Sequence, residues 1–469
     1  MRTTWCLLPV LLLMCLPSVA HAARPSDMVE VNAWDQLLRF VSLRDEGVRY
    51  LLGGSLLLGL GCGVLGSFMV VRKLALAGDA LAHSVLPGVV LGFLFTLTKD
   101  PLNLFIGAVV AGMISMGAVT ALRNTTKLKQ DAVLGIVLSG FFAIGICLLT
   151  MVQGIPHADM AGLDHILFGQ AAALGPADLR AMAWSTGISV VLIVVLYPKF
   201  LVLSFDTAFA QSLGLPVRLL HHLLMLLLTF SVVVAMQAVG VVLVSAMLIT
   251  PAAAAYLITQ RFHRMLVWAA LFGMVSGALG ALLSFLDTDL PTGPLMVLAA
   301  SAIFAGAFLF SPREGVVVKW RRARHRSARV HRENLLKAVY HIHERENFSL
   351  EGVTLLELAA VRRQTIDEVQ QLVKKLEQRE LATRSPDGGM LFLTDAGMAR
   401  AAQLVRNHRL WELYLTNAAD YAPDHVHDDA ERIEHVLGEP IVRELEKRLD
   451  FPQLDPHGKP IPAVASKPA

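Results

Sequence analysis

Leu74-Ala75-Leu76-Ala77-Gly78-Asp79-Ala80-Leu81-Ala82-His83-Ser84-Val85-Leu86-Pro87-Gly88 is an apolar run broken by one carboxylate and one imidazole. Asp79 and His83 are four residues apart, so on a helix they share a face about one turn from each other. The run belongs to an apolar segment of roughly 75–97, and ionisable groups at membrane depth cost several kcal/mol and tend to mark function. A carboxylate with an imidazole suits Mn, Fe or Zn and is poor for Cu(I). Two ligands hold an ion loosely, which a transport path needs. The same two groups would also bond each other simply to lower their burial cost, and spacing alone does not choose.

Working outward, apolar segments also lie at roughly 50–71, 101–122, 132–153, 181–203, 222–238, 239–258, 265–286 and 291–310. Each is long enough to cross a bilayer and too long and uniformly apolar for a barrel strand. The fold class is an all-α polytopic membrane bundle of about 8–9 transmembrane helices. The division inside 222–258 also admits a broken or re-entrant helix. Arg72-Lys73, Arg123–Lys129, Arg218, Arg261 and Arg264 mark one side, and Asp100, Asp159, Asp164, Asp178, Asp287 and Asp289 the other. Cytoplasmic loops collect Lys and Arg, so the basic run Lys319–Arg326 places the chain beyond it in the cytoplasm. That is the pattern of a multi-pass protein of the bacterial inner membrane. At the N-terminus, the apolar run Trp5–Leu16 and Ala20-His21-Ala22 read as a signal peptide over 1–22, or as an uncleaved first helix. The run is shorter than the roughly 20 residues a span needs, which favours cleavage.

Hydrophobic residues make up 55% of the 469 and charged residues 17%, an apolar excess that is concentrated before Ser311. A net charge of +3 does not by itself imply a polyanionic partner. Cys6, Cys15, Cys62 and Cys147 lie in apolar stretches without metal-finger spacing. No G-x-x-x-x-G-K-[ST] loop occurs, so the chain has no ATP site of that kind, and nothing in it points to an enzyme. Between the fifth and sixth segments, Asp206 to about Leu213 reads as a short amphipathic helix stopped by Gly214 and Pro216. It is a linker, or the knob that sits in a groove of a separate motor subunit.

The string Gly78–Gly88, the loop Asp164-His165-Ile166-Leu167-Phe168-Gly169 and the stretch from Gln237-Ala238-Val239-Gly240 to Leu248-Ile249-Thr250-Pro251-Ala252-Ala253 resemble the manganese/zinc/iron ABC transporter permease family over roughly 35–312. The resemblance implies a second permease subunit (identical or sibling), a cytoplasmic ATPase subunit and an external metal-binding protein, all working in membrane lipid. It implies that Asp79 and His83 form a metal site on the pathway, and that Asp206, Ala210 and Gly214 belong to the ATPase-coupling helix. A secondary transporter is the rival class.

An ordinary permease would end near Ser311. Here a basic cytoplasmic linker over 313–330 is followed by an amphipathic helix, Arg332–Tyr340, a short helix, Val353–Ala360, and a longer one, Thr365–Gln378. Leu381–Leu393 carries Pro386-Asp387-Gly388-Gly389 between two strand-like runs. That order is a winged helix-turn-helix over 331–395, with the longer helix placed for the major groove and Arg362, Arg363, Thr365 and Lys374 as the DNA-binding candidates. Over 396–455, His408 and Glu412, then His427, Glu431, Glu434 and His435, interleave imidazoles with carboxylates suited to Mn, Fe(II) or Zn. With the wing, these clusters resemble the iron- and manganese-dependent repressors of the diphtheria-toxin-repressor type over about 330–440. The resemblance implies an ancillary metal site of His408, Glu412 and His427 and a primary one of Glu431, Glu434 and His435, in a metal-sensing and dimerisation region. A methionine or aspartate ligand of that family is here Asn334, a weaker donor. Residues 456–469 read as a disordered tail.

Duplex affinity rests largely on phosphate neutralisation. From Val330 onward there are about five more acidic than basic residues, and the recognition helix carries Asp367 and Glu368. That balance counts against DNA; the resemblance nevertheless implies a metal-responsive repressor acting on operator DNA, with release by cleavage expected between about Pro312 and Val330. The alternative is a cytosolic metal sensor that slows transport without binding DNA. In both, one divalent ion (Mn, Fe or Zn) is substrate and effector.

Overall fold

The computed structural model describes residues 33–96, 101–153, 174–286, 290–349, 352–418 and 439–463. The expected signal peptide, the loop Asp164–Gly169 and the residues His427, Glu431, Glu434 and His435 lie outside them. The chain divides into two units, Met1–Val318 and Lys319–Ala469.

The first unit runs α1 Ala33–Ser42, α2 Glu46–Val71, α3 Ala75–Ser84, α4 Leu86–Thr96, α5 Pro101–Thr125, α6 Gln130–Gln153, α7 Pro176–Val195, α8 Tyr197–Phe205, α9 Thr207–Ser212, α10 Val217–Val239, α11 Val241–Ile258, α12 Phe262–Leu286 and α13 Thr292–Phe310. Among the described residues, 8 stretches are long and apolar enough to cross a membrane, and Leu243–Ile258 is a shorter apolar helix. The bundle is apolar outside and carries small polar groups inside. Phe95, Trp184 and Leu298 are exposed, while Ser55, Ser67, Ser84 and Ser276 are fully buried. Lipid is as apolar as leucine, so close backbone packing and internal hydrogen bonds hold such helices together. The serine hydroxyls donate to carbonyls one turn back, Ser55 to Leu51 at 2.7 Å and Ser67 to Gly63 at 2.9 Å. A Cβ on Gly59 would lie 2.2 Å from the Gly273 carbonyl oxygen, so α2 and α12 touch backbone to backbone.

Two expected spans are divided, and a third stretch parts where two expected spans meet, each for a local reason. The segment 75–97 is two helices, α3 and α4, that part at Val85. Pro87 has no N–H to return to the His83 carbonyl, so one rung of the helical ladder is lost there, although Val85 itself stays right-handed helical. The segment 181–203 breaks at Leu196, with Pro198 at the start of α8. The segment 222–258 breaks at Gly240, whose φ of 83° and ψ of 160° lie in a region open essentially to glycine alone. The division falls where the two expected segments 222–238 and 239–258 meet; the first is long enough to span and Leu243–Ile258 is a shorter apolar helix.

The second unit holds α14 Val316–Arg345, β1 Val353–Thr354, α15 Leu355–Arg362, α16 Ile366–Glu377, β2 Ala382–Arg384, β3 Met390–Leu393, α17 Asp395–Ala418 and α18 Glu439–Arg448. The basic linker stretch 313–330 is helical from Val316, where it forms the first half of α14. The strands form an antiparallel sheet in the order β1-β3-β2. Ala382 faces Leu393 and Arg384 faces Leu391 across a turn that Gly388 closes at φ 72°. Leu335, Val339, Leu358, Val369, Val373, Leu376, Leu391, Leu404 and Val405 form the core under this winged helix-turn-helix. Thr354 caps α15, and Thr365 with Glu368 makes a reciprocal capping box on α16. Arg363 sits between them in the left-handed region, φ 52°.

The expected disordered tail is ordered in its first half. Asp455 accepts from the backbone N–H groups of His457 and Lys459, Leu454 pairs with Pro460, and Ile461 is buried. Arg409 explains the return. It is 2% exposed, donates to both Glu344 carboxylate oxygens at 2.8 and 2.7 Å, and reaches Asp455 at 3.3 Å.

Candidate functional site

Asp79 and His83 sit on α3 just before its break, with Nε2 of His83 3.5 Å from Oδ1 of Asp79. Leu81 and Ala82 pack at 0% exposure, so the polar pair occupies the less crowded face. Ser84 fixes the end of the helix by donating to the Ala80 carbonyl at 2.6 Å and to Ser115 of α5 at 2.8 Å. Phe142 of α6 packs edge-to-face with the His83 ring, centroids 4.8 Å apart. Nδ1 of His83 is buried with no protein partner. An imidazole with an unspent nitrogen beside a carboxylate is a donor set for a borderline divalent ion. Among the described residues no third His, Cys, Asp or Glu completes a cluster.

At the start of α3, a cavity of about 840 Å³ is lined by Arg72, Lys73, Arg123, Arg218, His221 and His222, with Thr207 and Gln211 of α9 at its edge. Arg72 bonds Nδ1 of His221 at 3.2 Å, and its other terminal nitrogen is buried without a partner. Among the described residues no carboxylate lines this cavity. The three coupling candidates build the neighbouring turn. Asp206 caps α9 by accepting from the Phe209 N–H at 2.9 Å, Ala210 is buried, and Gly214 takes φ 73° to end it. Phe209 and Leu213 stay exposed on this short helix, an apolar knob.

In the second unit, His408 and Glu412 lie on α17, both buried, with Nε2 3.0 Å from Oε1. Two residues of α14 come with them. Asn334 is 9% exposed, and its Oδ1 is buried with no donor, as a ligand awaiting a cation or water would be. Lys337, one turn on, places its Nζ 3.1 Å from Nδ1 of His408. The Asn334 oxygen is thus left open, whereas both nitrogens of His408 have protein partners. Sequence reasoning missed Lys337, although a lysine on the buried stripe between Leu336 and Ala338 was visible. It missed Phe142 and Arg409 as well, which carry no signal without the fold.

The DNA-binding candidates converge less. Arg363 is a turn residue, Thr365 is the α16 cap, and Lys374 is exposed two turns along. Arg362 is half-buried, and its Nε has no partner. A groove of about 530 Å³ between α14 and α16 adds Arg324 and His331 to the surface that carries Glu368, Gln371 and Lys375.

Residues 45–311 match the ABC 3 transport family, and residues 394–463 match the metal binding and dimerisation domain of the iron dependent repressor. The "Manganese transport system membrane protein MntC" of Bacillus subtilis (strain 168) is 38% identical over 383 residues, 82% of this chain and 87% of that protein. An alignment of that length reaches beyond the permease region. The "Zinc transport system membrane protein TroC" of Treponema pallidum (strain Nichols) is 39% identical over 61% of this chain and 96% of its own. Among solved structures, PsaBC from Streptococcus pneumoniae in complex with Fab superposes with a TM-score of 0.54 at 33% identity, over 59% of this chain and 97% of that one. The chain thus belongs to the ABC 3 transport family, as a multi-pass metal permease that carries a repressor-like metal-binding region at its C-terminal end.

Proposed function

We propose that this chain imports Mn²⁺, with Fe²⁺ and Zn²⁺ as competing cargoes, through a pathway that passes Asp79 and His83. The observation that carries this reading is the buried, unspent Nδ1 of His83 next to Asp79, at a proline-broken helix inside the bundle. Irregular backbone at membrane depth is tolerated where it lines a cavity or is covered by protein, which is where substrate sites form. Relatives named for manganese, zinc and chelated iron support a shared ligand chemistry. A second permease subunit, an external metal-binding protein and an ATPase complete the importer. The ATPase docks at the exposed Phe209 and Leu213 knob of α9. Membership of an ABC transport family favours this over a secondary transporter. The test is uptake of radiolabelled manganese by cells carrying the complete system. Asp79→Asn chains that reach the membrane in normal amount lose uptake, and unchanged uptake refutes the pathway site.

The second unit acts as a cytoplasmic, metal-responsive DNA-binding module. Support comes from the winged helix and from the groove where the basic half of α14 supplements a recognition helix poor in positive charge. Glu431, Glu434 and His435, with the Asn334 oxygen, form its metal site. The helix begins at Val316, so release by cleavage would fall in the turn at 312–315 that precedes it. Immunoprecipitation of the full-length chain from crosslinked, manganese-replete cells should enrich the operator. Its absence there, with unchanged transcription on deletion of the module, removes the repressor reading.

A further inference from the structure

His408 belongs to the expected ancillary metal site, yet its ring is committed at both nitrogens. Lys337 Nζ lies 3.1 Å from Nδ1, and Glu412 Oε1 lies 3.0 Å from Nε2. A lysine amino group donating to Nδ1 takes up its lone pair, and the arrangement leaves Nε2 to donate to the carboxylate. A metal needs the lone pair of a neutral imidazole, and that lone pair faces the ammonium. The three side chains are buried, Lys337 at 8% exposure, His408 at 4% and Glu412 at 3%. A divalent ion entering here would meet a like charge with little water between them, and repulsion is strongest in such surroundings.

The row also explains why a lysine is tolerated inside the unit. A buried cation requires a counter-charge and hydrogen-bond acceptors. The imidazole supplies an acceptor, and Glu412 supplies the opposite charge across the ring. The row links α14, which carries Lys337, to α17, which carries His408 and Glu412. A metal held between the same two helices would impose the same link.

We propose that Lys337 is an internal cation standing in for the ancillary metal, so that the His408–Glu412 pair binds no divalent ion and the α14–α17 link is permanent. The proposal rests on the repressor-like reading only for which site is meant. Metal response then falls to the Asn334 side alone.

The experiment counts tight Mn²⁺ per full-length chain in detergent by electron paramagnetic resonance, in an Asp79→Asn, His83→Ala background that removes the pathway pair. Adding His408→Ala leaves the count unchanged and shifts affinity by no more than about twofold. Lys337→Glu gains one ion per chain, and adding His408→Ala to it abolishes that gain. A fall of one ion on His408→Ala in the Lys337 chain overturns the proposal. So does a folded Lys337→Glu chain that gains none. Where Lys337→Glu does not fold, the His408→Ala arm decides alone. A Lys337 chain that holds no tight ion, while the Lys337→Glu chain holds one, refutes the sensor reading and leaves the lysine proposal standing.

Discussion

The ring of His83 stands edge-on to that of Phe142, with centroids 4.8 Å apart and planes at 79°. The contact joins the break after α3 to the middle of α6 and fixes the imidazole while leaving Nδ1 without a protein partner. An aromatic neighbour positions a ligand without competing for the ion, since its ring offers no strong donor or acceptor.

His83→Ala removes the donor and should abolish metal uptake. Phe142→Leu keeps both ligands but frees the ring. Losing a supporting contact of this kind costs about 10–100-fold in metal affinity or activity. Uptake by the Phe142→Leu chain should therefore fall through a raised KM, with maximal rate largely kept at saturating metal. Equal loss in both variants would mean that Phe142 holds the bundle together and does not tune the site.

Gly59 offers a test of the scaffold. A Cβ there would sit 2.2 Å from the Gly273 oxygen and 2.6 Å from the Met274 nitrogen, both backbone atoms that cannot swing aside. Overpacking a core costs about 1–3 kcal/mol where neighbours can move, and here they cannot. Gly59→Ala should lower the yield and thermal stability of the detergent-solubilised chain. Gly117→Ala has open space and should leave both unchanged. Matching behaviour of the two would show that α2 and α12 can separate at no cost.

Much of this was legible in the sequence because it is local. Asp79 and His83 are paired by helix spacing, Thr365 and Glu368 by the capping box, and the wing by Pro386–Gly389. The sequence places the division near Gly240 but leaves open whether the two halves make two full spans, because an apolar run does not show how it crosses the bilayer. The helical state of 313–330 was hidden because a basic run looks the same in a solvated helix and in a coil. Lys337 meets His408 across 71 positions, and Arg409 meets Glu344 across 65. Periodicity shows that each faces inward and does not show which partner it meets.

Acid should loosen the second unit through His341. Burial pushes its imidazole down to about 4, against the hydrogen bond with Glu344 that favours the charged form. The unfolded chain titrates near 6.5, so between about 6.5 and 4 it holds more protons than the folded one, and stability falls as pH falls through that window. For Glu344, burial raises the carboxyl, but the Arg409 hydrogen bond and charge outweigh it and hold it below the usual range. Its contribution is present above the ordinary carboxylate pKa and is lost as pH drops through the lowered value, in the same direction. Hydrogen exchange of α17 should accelerate from pH 6.5 downward, beyond the intrinsic rate change. His341→Gln should flatten the upper part of that slope, and an unchanged slope would exclude His341 as its cause.

Arg409 is the strongest single dependency in the second unit. It joins α17 to Glu344 of α14 and to Asp455 and the Pro460 carbonyl of the returning C-terminal segment. Its side chain is 2% exposed and that of Asp455 is 3%, so solvent cannot replace the lost charge. Removing one partner of a buried ion pair costs about 3–5 kcal/mol because the other is left buried and uncompensated. Arg409→Met keeps the apolar stem and strands two carboxylates, so it should release the segment after Asp455 to proteolysis and lower the melting temperature of the unit. Arg409→Met with Glu344→Gln and Asp455→Asn removes the stranded charges and should recover part of the loss. If the triple variant melts no higher than Arg409→Met alone, the guanidinium contributes through its hydrogen-bond geometry, not through charge balance.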